Sequence, residues 1–157
     1  MLSIVKNIVH AIRNKKLLFL KKKVKIGAGF RHGKGCFISK KNTISIGDNF
    51  FMGNYCHLAS DLKIGNDVLL ASFVSCIGGD HKIDHISVTI RESGRDVFKT
   101  TTIEDNVWVG QGVILMHGVT LRKGSVIAAG SVVTKDVEEN AIVGGNPAKL
   151  IRYRKVK

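Results

Sequence analysis

Two histidines, His81 and His85, stand four residues apart in a polar stretch that also carries Asp84, Arg91, Arg95 and Asp96. An imidazole titrates near neutrality, so either ring could remove the proton of a hydroxyl as its oxygen attacks an electrophile. Such a base works well only if its second ring nitrogen is held by a carboxylate or a carbonyl. Asp84, three residues after His81, and Asp96 are the acidic candidates for that task. Attack at an acyl carbon would also need a donor for the developing oxyanion, and a backbone amide is the expected one.

Residues of this kind need a rigid frame, and the flanking sequence supplies a repeat. Ile46, Met52, Leu58, Ile64 and Leu70 recur at every sixth position, and Ile103, Val109, Leu115, Leu121, Ile127 and Val133 do the same after the polar stretch. Four residues after each comes a second small or medium side chain, among them Cys56, Leu62, Val68 and Val74, then Val107, Val113, Ser125 and Ser131. A helix of period 3.6 cannot keep positions six apart on one face, and plain strand alternation would not single them out. Short strands joined by sharp corners do both, and hexapeptide repetition marks a parallel β-helix. Gly47-Asp48-Asn49, Gly65-Asn66-Asp67 and Asp105-Asn106 supply corner residues that tolerate positive φ.

These readings predict an all-β chain. Residues 26–141 form the β-helix, interrupted by a loop at 79–102; residues 1–25 are a basic amphipathic segment and 142–157 a tail. A loop that leaves a regular solenoid is exposed yet anchored, which suits catalytic residues. Cys36, Cys56 and Cys76 form no CxxC motif and fall at inward positions, so they read as small apolar core residues of a cytoplasmic protein. Trp108 and His117 should face outward, at the groove or a subunit contact. His10, His32 and His57 read as structural or surface residues.

The formal charge of +13 predicts attraction to polyanions. Nucleic acid is not the expected partner, because the 157 residues carry no helix-turn-helix or RNP-like pattern and only 6% aromatics. No apolar run approaches 18 residues and no signal-peptide pattern is present, so neither a membrane span nor a secretory leader is expected. Leu2, Val5, Ile8, Val9 and Ile12 alternate with Lys6, Asn7, Arg13 and Asn14 in helical spacing. That segment either covers the open end of the β-helix or lies on the anionic inner face of a membrane.

The stretch IEDNVWVGQGVILMHGVTLRKGSVIAAGSVVTKDVEENAIVGGNPAKLIR, from Ile103 to Arg152, resembles the bacterial hexapeptide-repeat acyltransferases with a left-handed β-helix. The likeness, in particular to the galactoside, maltose and exopolysaccharide O-acetyltransferases, runs from about Ile44 to Arg152. It implies a homotrimer that binds acetyl-coenzyme A, without a metal, in the groove between neighbouring β-helices. It also implies transfer of acetyl to a sugar or polysaccharide hydroxyl, with the catalytic histidine of the loop mapping to His81; Asp84 is the supporting residue read from its spacing alone. Donor contacts map to Gln111, Ala129, Thr134, Lys135, Lys149 and Arg152, and acceptor contacts to Asn54 and Asp61. Lys135, Lys149 and Arg152 match the phosphates of coenzyme A, and Ala129 with Gly130 leaves room for its pantetheine arm. His117 stands where many relatives carry proline. The similar streptogramin and chloramphenicol acetyltransferases make a xenobiotic alcohol the alternative acceptor. The γ-type carbonic anhydrases share the fold but need two histidines five apart, and here His117 is followed by Arg122.

Overall fold

The computed structural model describes residues 12, 14, 17–19 and 21–155. Most of the amphipathic segment expected over residues 1–25 therefore lies outside the described residues up to position 20. Ile12, Asn14, Leu17 and Leu18 are helical. Leu17 and Leu18 pack on the core and the Asn14 amide donates to the Phe30 carbonyl at 3.2 Å, so this turn covers the end of the first coil.

From Val24 onward the chain winds as a three-sided parallel β-helix. Its first face is β1 (Val24–Ile26), β4 (Ile44–Ile46), β7 (Leu62–Ile64), β10 (Thr101–Ile103) and β13 (Thr120–Leu121). The second is β2 (Arg31–His32), β5 (Phe51–Met52), β8 (Leu69–Leu70), β11 (Trp108–Val109), β14 (Val126–Ile127), β16 (Ala141–Gly145) and β17 (Ala148–Tyr153). The third is β3 (Phe37–Ile38), β6 (His57–Leu58), β9 (Ser75–Cys76), β12 (Ile114–Leu115) and β15 (Val132–Val133). Among the strands named here only β16 and β17 pair antiparallel, a hairpin formed where the sequence suggested a tail.

The six-residue period is the sum of one short strand and one corner. In each two-residue strand the first side chain points out and the second points in, as in Phe51–Met52 and Trp108–Val109. Both apolar columns read from the sequence are buried, including Ser125 and Ser131. Corner residues Asn49, Asp67 and Asn106 adopt φ of 56° to 57°, as their types allow. Tyr55 and Phe73 adopt φ of 56° and 62° at the next corner, where bulky side chains rarely go; their rings stack at 5.3 Å. At Gly110 a side chain is excluded, since a Cβ there would lie 2.6 Å from the Ala129 amide nitrogen in the next coil.

Cys56 and Cys76 are buried and Cys36 is half-buried. Burial pushes the Cys56 thiol up to about 11 and the Cys76 thiol to about 12, so both stay protonated and neither is a nucleophile.

Candidate active site

Thirty-nine positions separate the paired residues Leu62 and Thr101, where eighteen separate Ile44 and Leu62. The excursion between β9 and β10 thus adds 21 residues at the corner between the third and first faces. Its two limbs fold back on each other. His81 bridges Arg95 in antiparallel fashion, the Asp96 amide donates to the Asp80 carbonyl at 2.9 Å, and the Lys82 amide donates to the Gly94 carbonyl at 3.1 Å. The Arg95 guanidinium also donates to the Gly79 carbonyl at the root.

His81 is half-buried on the outgoing limb. Its Nδ1 lies 3.1 Å from the carbonyl oxygen of Ile90. A carbonyl can only accept, so Nδ1 carries the hydrogen and Nε2 keeps its lone pair free to take a proton. Of the two kinds of partner the sequence left open, the one at Nδ1 is a backbone carbonyl, and the acidic candidates Asp84 and Asp96 do not fill that place. A side-chain type cannot reveal such a partner, so no sequence signal pointed to Ile90. The turn that presents Ile90 is closed reciprocally. The Thr89 amide and hydroxyl donate to the Glu92 carboxylate at 3.1 and 2.8 Å, while the Glu92 amide donates to the Thr89 hydroxyl at 3.3 Å. The Thr89 hydroxyl, then its amide, hold the Glu92 carboxyl below its ordinary range.

His117, expected at the groove or a subunit contact, packs against the loop of its own chain. Its Nδ1 accepts the Lys99 amide at 3.4 Å and its Nε2 lies 3.5 Å from the Asp80 carboxylate. One ring thereby ties both limbs of the excursion to the following coil, with the Phe98 ring set edge-on at 6.3 Å. Trp108 is 53% exposed, as expected of an outward strand position.

The residues mapped to donor and acceptor fall on two different corners. Asn54, Gln111 and Ala129 follow the strands of the second face, on the corner that leads to the third. Asn54 Oδ1 accepts the Lys34 amide at 2.8 Å, and the Gln111 carbonyl accepts the Gly130 amide at 2.8 Å, so this corner is stitched from coil to coil. Asp61, Thr134 and Lys135 follow the third face, on the corner from which the His81 loop springs. Asp61 Oδ1 accepts the Thr43 backbone amide at 2.7 Å and the Asn42 side-chain Nδ2 at 3.2 Å, a structural duty within that corner. Lys149 and Arg152 are exposed on β17, the edge strand of the second face. One full face, roughly 20 Å of extended chain, separates the two corners within a single chain.

A family description, bacterial transferase hexapeptide (six repeats), matches residues 100–135. The chain is 36% identical over 118 residues to the galactoside O-acetyltransferase of Escherichia coli K12, covering 74% of this chain and 57% of that one. The structure of a hexapeptide-repeat acetyltransferase from Vibrio cholerae superposes with a TM-score of 0.77 at 28% identity, over 94% of this chain and 82% of that chain. That Vibrio protein has also been solved with acetyl-coenzyme A. A maltose O-acetyltransferase from Clostridium difficile 630 superposes with a TM-score of 0.63 at 30% identity, over 86% of this chain and 68% of that one. The chain spans about half the length of the curated relatives it matches, 52% to 57% for three of them. With the coils, the columns and the matching segment in agreement, the chain belongs to the hexapeptide-repeat acyltransferase family.

Proposed function

We propose that this chain is an acetyl-coenzyme A-dependent O-acetyltransferase for a sugar or polysaccharide hydroxyl, with His81 as its general base. The Nδ1 contact to the Ile90 carbonyl carries this reading, because it fixes the one ring tautomer that can accept a proton at Nε2. There Nε2 takes the hydroxyl proton as the sugar oxygen bonds to the acyl carbon. It returns that proton to the departing thiolate when the carbon–sulfur bond breaks, so no proton is gained or lost over the turnover. The names of the galactoside and maltose enzymes favour a saccharide acceptor. The test is thiol release from acetyl-coenzyme A across sugars, nucleotide sugars, polysaccharides and antibiotic alcohols. Turnover confined to the antibiotic alcohols would replace the saccharide reading.

The division of mapped residues between two corners favours a homotrimer, in which the loop corner of one copy meets the Asn54–Gln111–Ala129 corner of the next. Flanking that second corner are the exposed Phe51, Leu69 and Trp108, the stacked Tyr55 and Phe73, and Phe37. Apolar area on this scale marks a contact surface. The expected mass in solution is three times 17.1 kDa. A fully active monomer would rule this assembly out.

Lys149 and Arg152, both exposed and free of carboxylate partners among the described residues, are read as phosphate contacts for the donor. Replacing both with Ala should raise KM for acetyl-coenzyme A about tenfold or more and change KM for the acceptor little, since the lost binding energy is remote from the reacting groups. Unchanged donor affinity would return these charges to plain solvation. The enzyme is read as cytoplasmic, with residues 1–25 touching the inner face of the membrane. No described helix is long and apolar enough to cross a bilayer.

A further inference from the structure

The charge of the molecule is distributed unevenly along the solenoid axis. No Asp or Glu precedes Asp48, while Lys21, Lys22, Lys23, Lys25, Arg31, Lys34, Lys40 and Lys41 all belong to the first coil or its approach. The next coil, residues 44–61, holds no Lys or Arg and two acids, Asp48 and Asp61. The fold spreads the eight cations around the rim. Lys25 lies on the first face, Arg31 on the second, Lys34 at the corner after it, and Lys40 with Lys41 at the corner after the third face. All but Lys21 are exposed, and none has a carboxylate partner among the described residues. Beside this ring the helical turn packs the half-buried Leu17 and Leu18 on the core while leaving Ile12 64% and Phe19 69% exposed.

We infer that the first-coil end of the β-helix docks end-on against an anionic lipid surface, and that the acceptor is a saccharide carried on a membrane lipid. A complete ring of cations fits a plane better than it fits a rod or a single strand, which would engage one side only. Each Lys or Arg near an anionic leaflet is drawn to it, and exposed apolar side chains among them can enter the headgroup boundary. The adjoining coil carries no positive charge, so the attraction orients the prism upright rather than laying it flat. Coils stack about 4.8 Å apart, so the His81 loop, which leaves the third coil, stands ~10 Å above the rim. An acceptor sugar held close to the headgroups lies at that height, whereas a free sugar gains nothing from the docking. Three rims brought side by side in the proposed trimer would share one plane and multiply the weak contacts. The acceptor half of this inference rests on the acetyltransferase reading; the docking half does not.

The 157-residue chain is sedimented with vesicles of phosphatidylcholine alone and with 30% phosphatidylglycerol, alongside a variant with Lys22, Lys25, Lys34 and Lys40 changed to Gln. The expected result is at least tenfold more binding to the anionic vesicles, release by high salt, and loss of that preference in the variant. Equal binding to both vesicle types, or an undiminished preference in the variant, overturns the docking. So does capture by soluble heparin with no binding to vesicles, which would make the partner a free polyanion. Acetyl transfer is then followed to an alkyl glucoside embedded in the anionic vesicles and to free methyl glucoside. The variant should lose about tenfold on the embedded acceptor and keep its rate on the free one. Equal rates on both acceptors overturn the lipid-linked substrate, and vesicle binding without transfer to any alcohol would defeat the acetyltransferase reading while leaving the docking in place.

Discussion

Changing His81 to Ala is expected to lower kcat by about 10²- to 10⁴-fold, the range that a positioned proton acceptor supplies. The loss should come without unfolding. His81 belongs to neither apolar column, and the hydrogen bond of its side chain is to a carbonyl within its own loop, while its backbone bridge to Arg95 survives the substitution. Thermal stability, mass in solution and KM for acetyl-coenzyme A should therefore stay near those of the parent, so that binding and chemistry separate. His85 is the internal control, an exposed ring of the same type in the same loop. His85→Ala should stay within about twofold of the parent. If His85→Ala abolishes turnover and His81→Ala retains it, the base has been assigned to the wrong ring.

The largest expected loss of stability is at Leu70. Its side chain is fully buried in the second face, paired with Met52 in one neighbouring coil and Val109 in the other. Leu70→Ala should cost about 3 kcal/mol, because the rigid coils on either side cannot close the cavity. At roughly 2–4 °C per kcal/mol for a chain of this size, Tm should fall by about 6–12 °C. Lys63→Ala, one coil face earlier and pointing to solvent, should change Tm by no more than about 2 °C. A melting curve for Leu70→Ala that overlays the parent would mean that the column is not the main support of the central coils.

The frame was largely legible in the sequence, because inward positions in a solenoid are set by strict local spacing. Ile46 to Leu70 and Ile103 to Val133 could be placed before any coordinates, as could the positive φ at Asn49, Asp67 and Asn106. The same spacing could not place Tyr55 and Phe73 in left-handed backbone, since their types argue against it and only the stacked coils impose it. Within the loop the period gives no guidance, so partners had to be guessed from side-chain chemistry. That method offered Asp84 for His81 and missed Ile90, whose contribution is a main-chain oxygen. It pointed His117 to the groove or a subunit contact for a related reason: its partners, Asp80 and the Lys99 amide, lie 37 and 18 positions earlier and meet it only through the winding of the coil.

The excursion between β9 and β10 leaves the ladder without a trace. Lys63 pairs with Thr102 and Ile64 with Ile103 as if the intervening residues were absent, and the coils above and below keep their eighteen-residue spacing. The loop is therefore an insert that the strand register does not sense, held to the scaffold by side chains such as His117 rather than by the ladder. Mutation can lengthen, shorten or exchange it while the stacked coils go on folding, so chemistry and architecture are free to evolve at separate rates. For an engineer the same seam, Cys76 to Thr101, is the natural splice point for grafting another member's loop onto this frame.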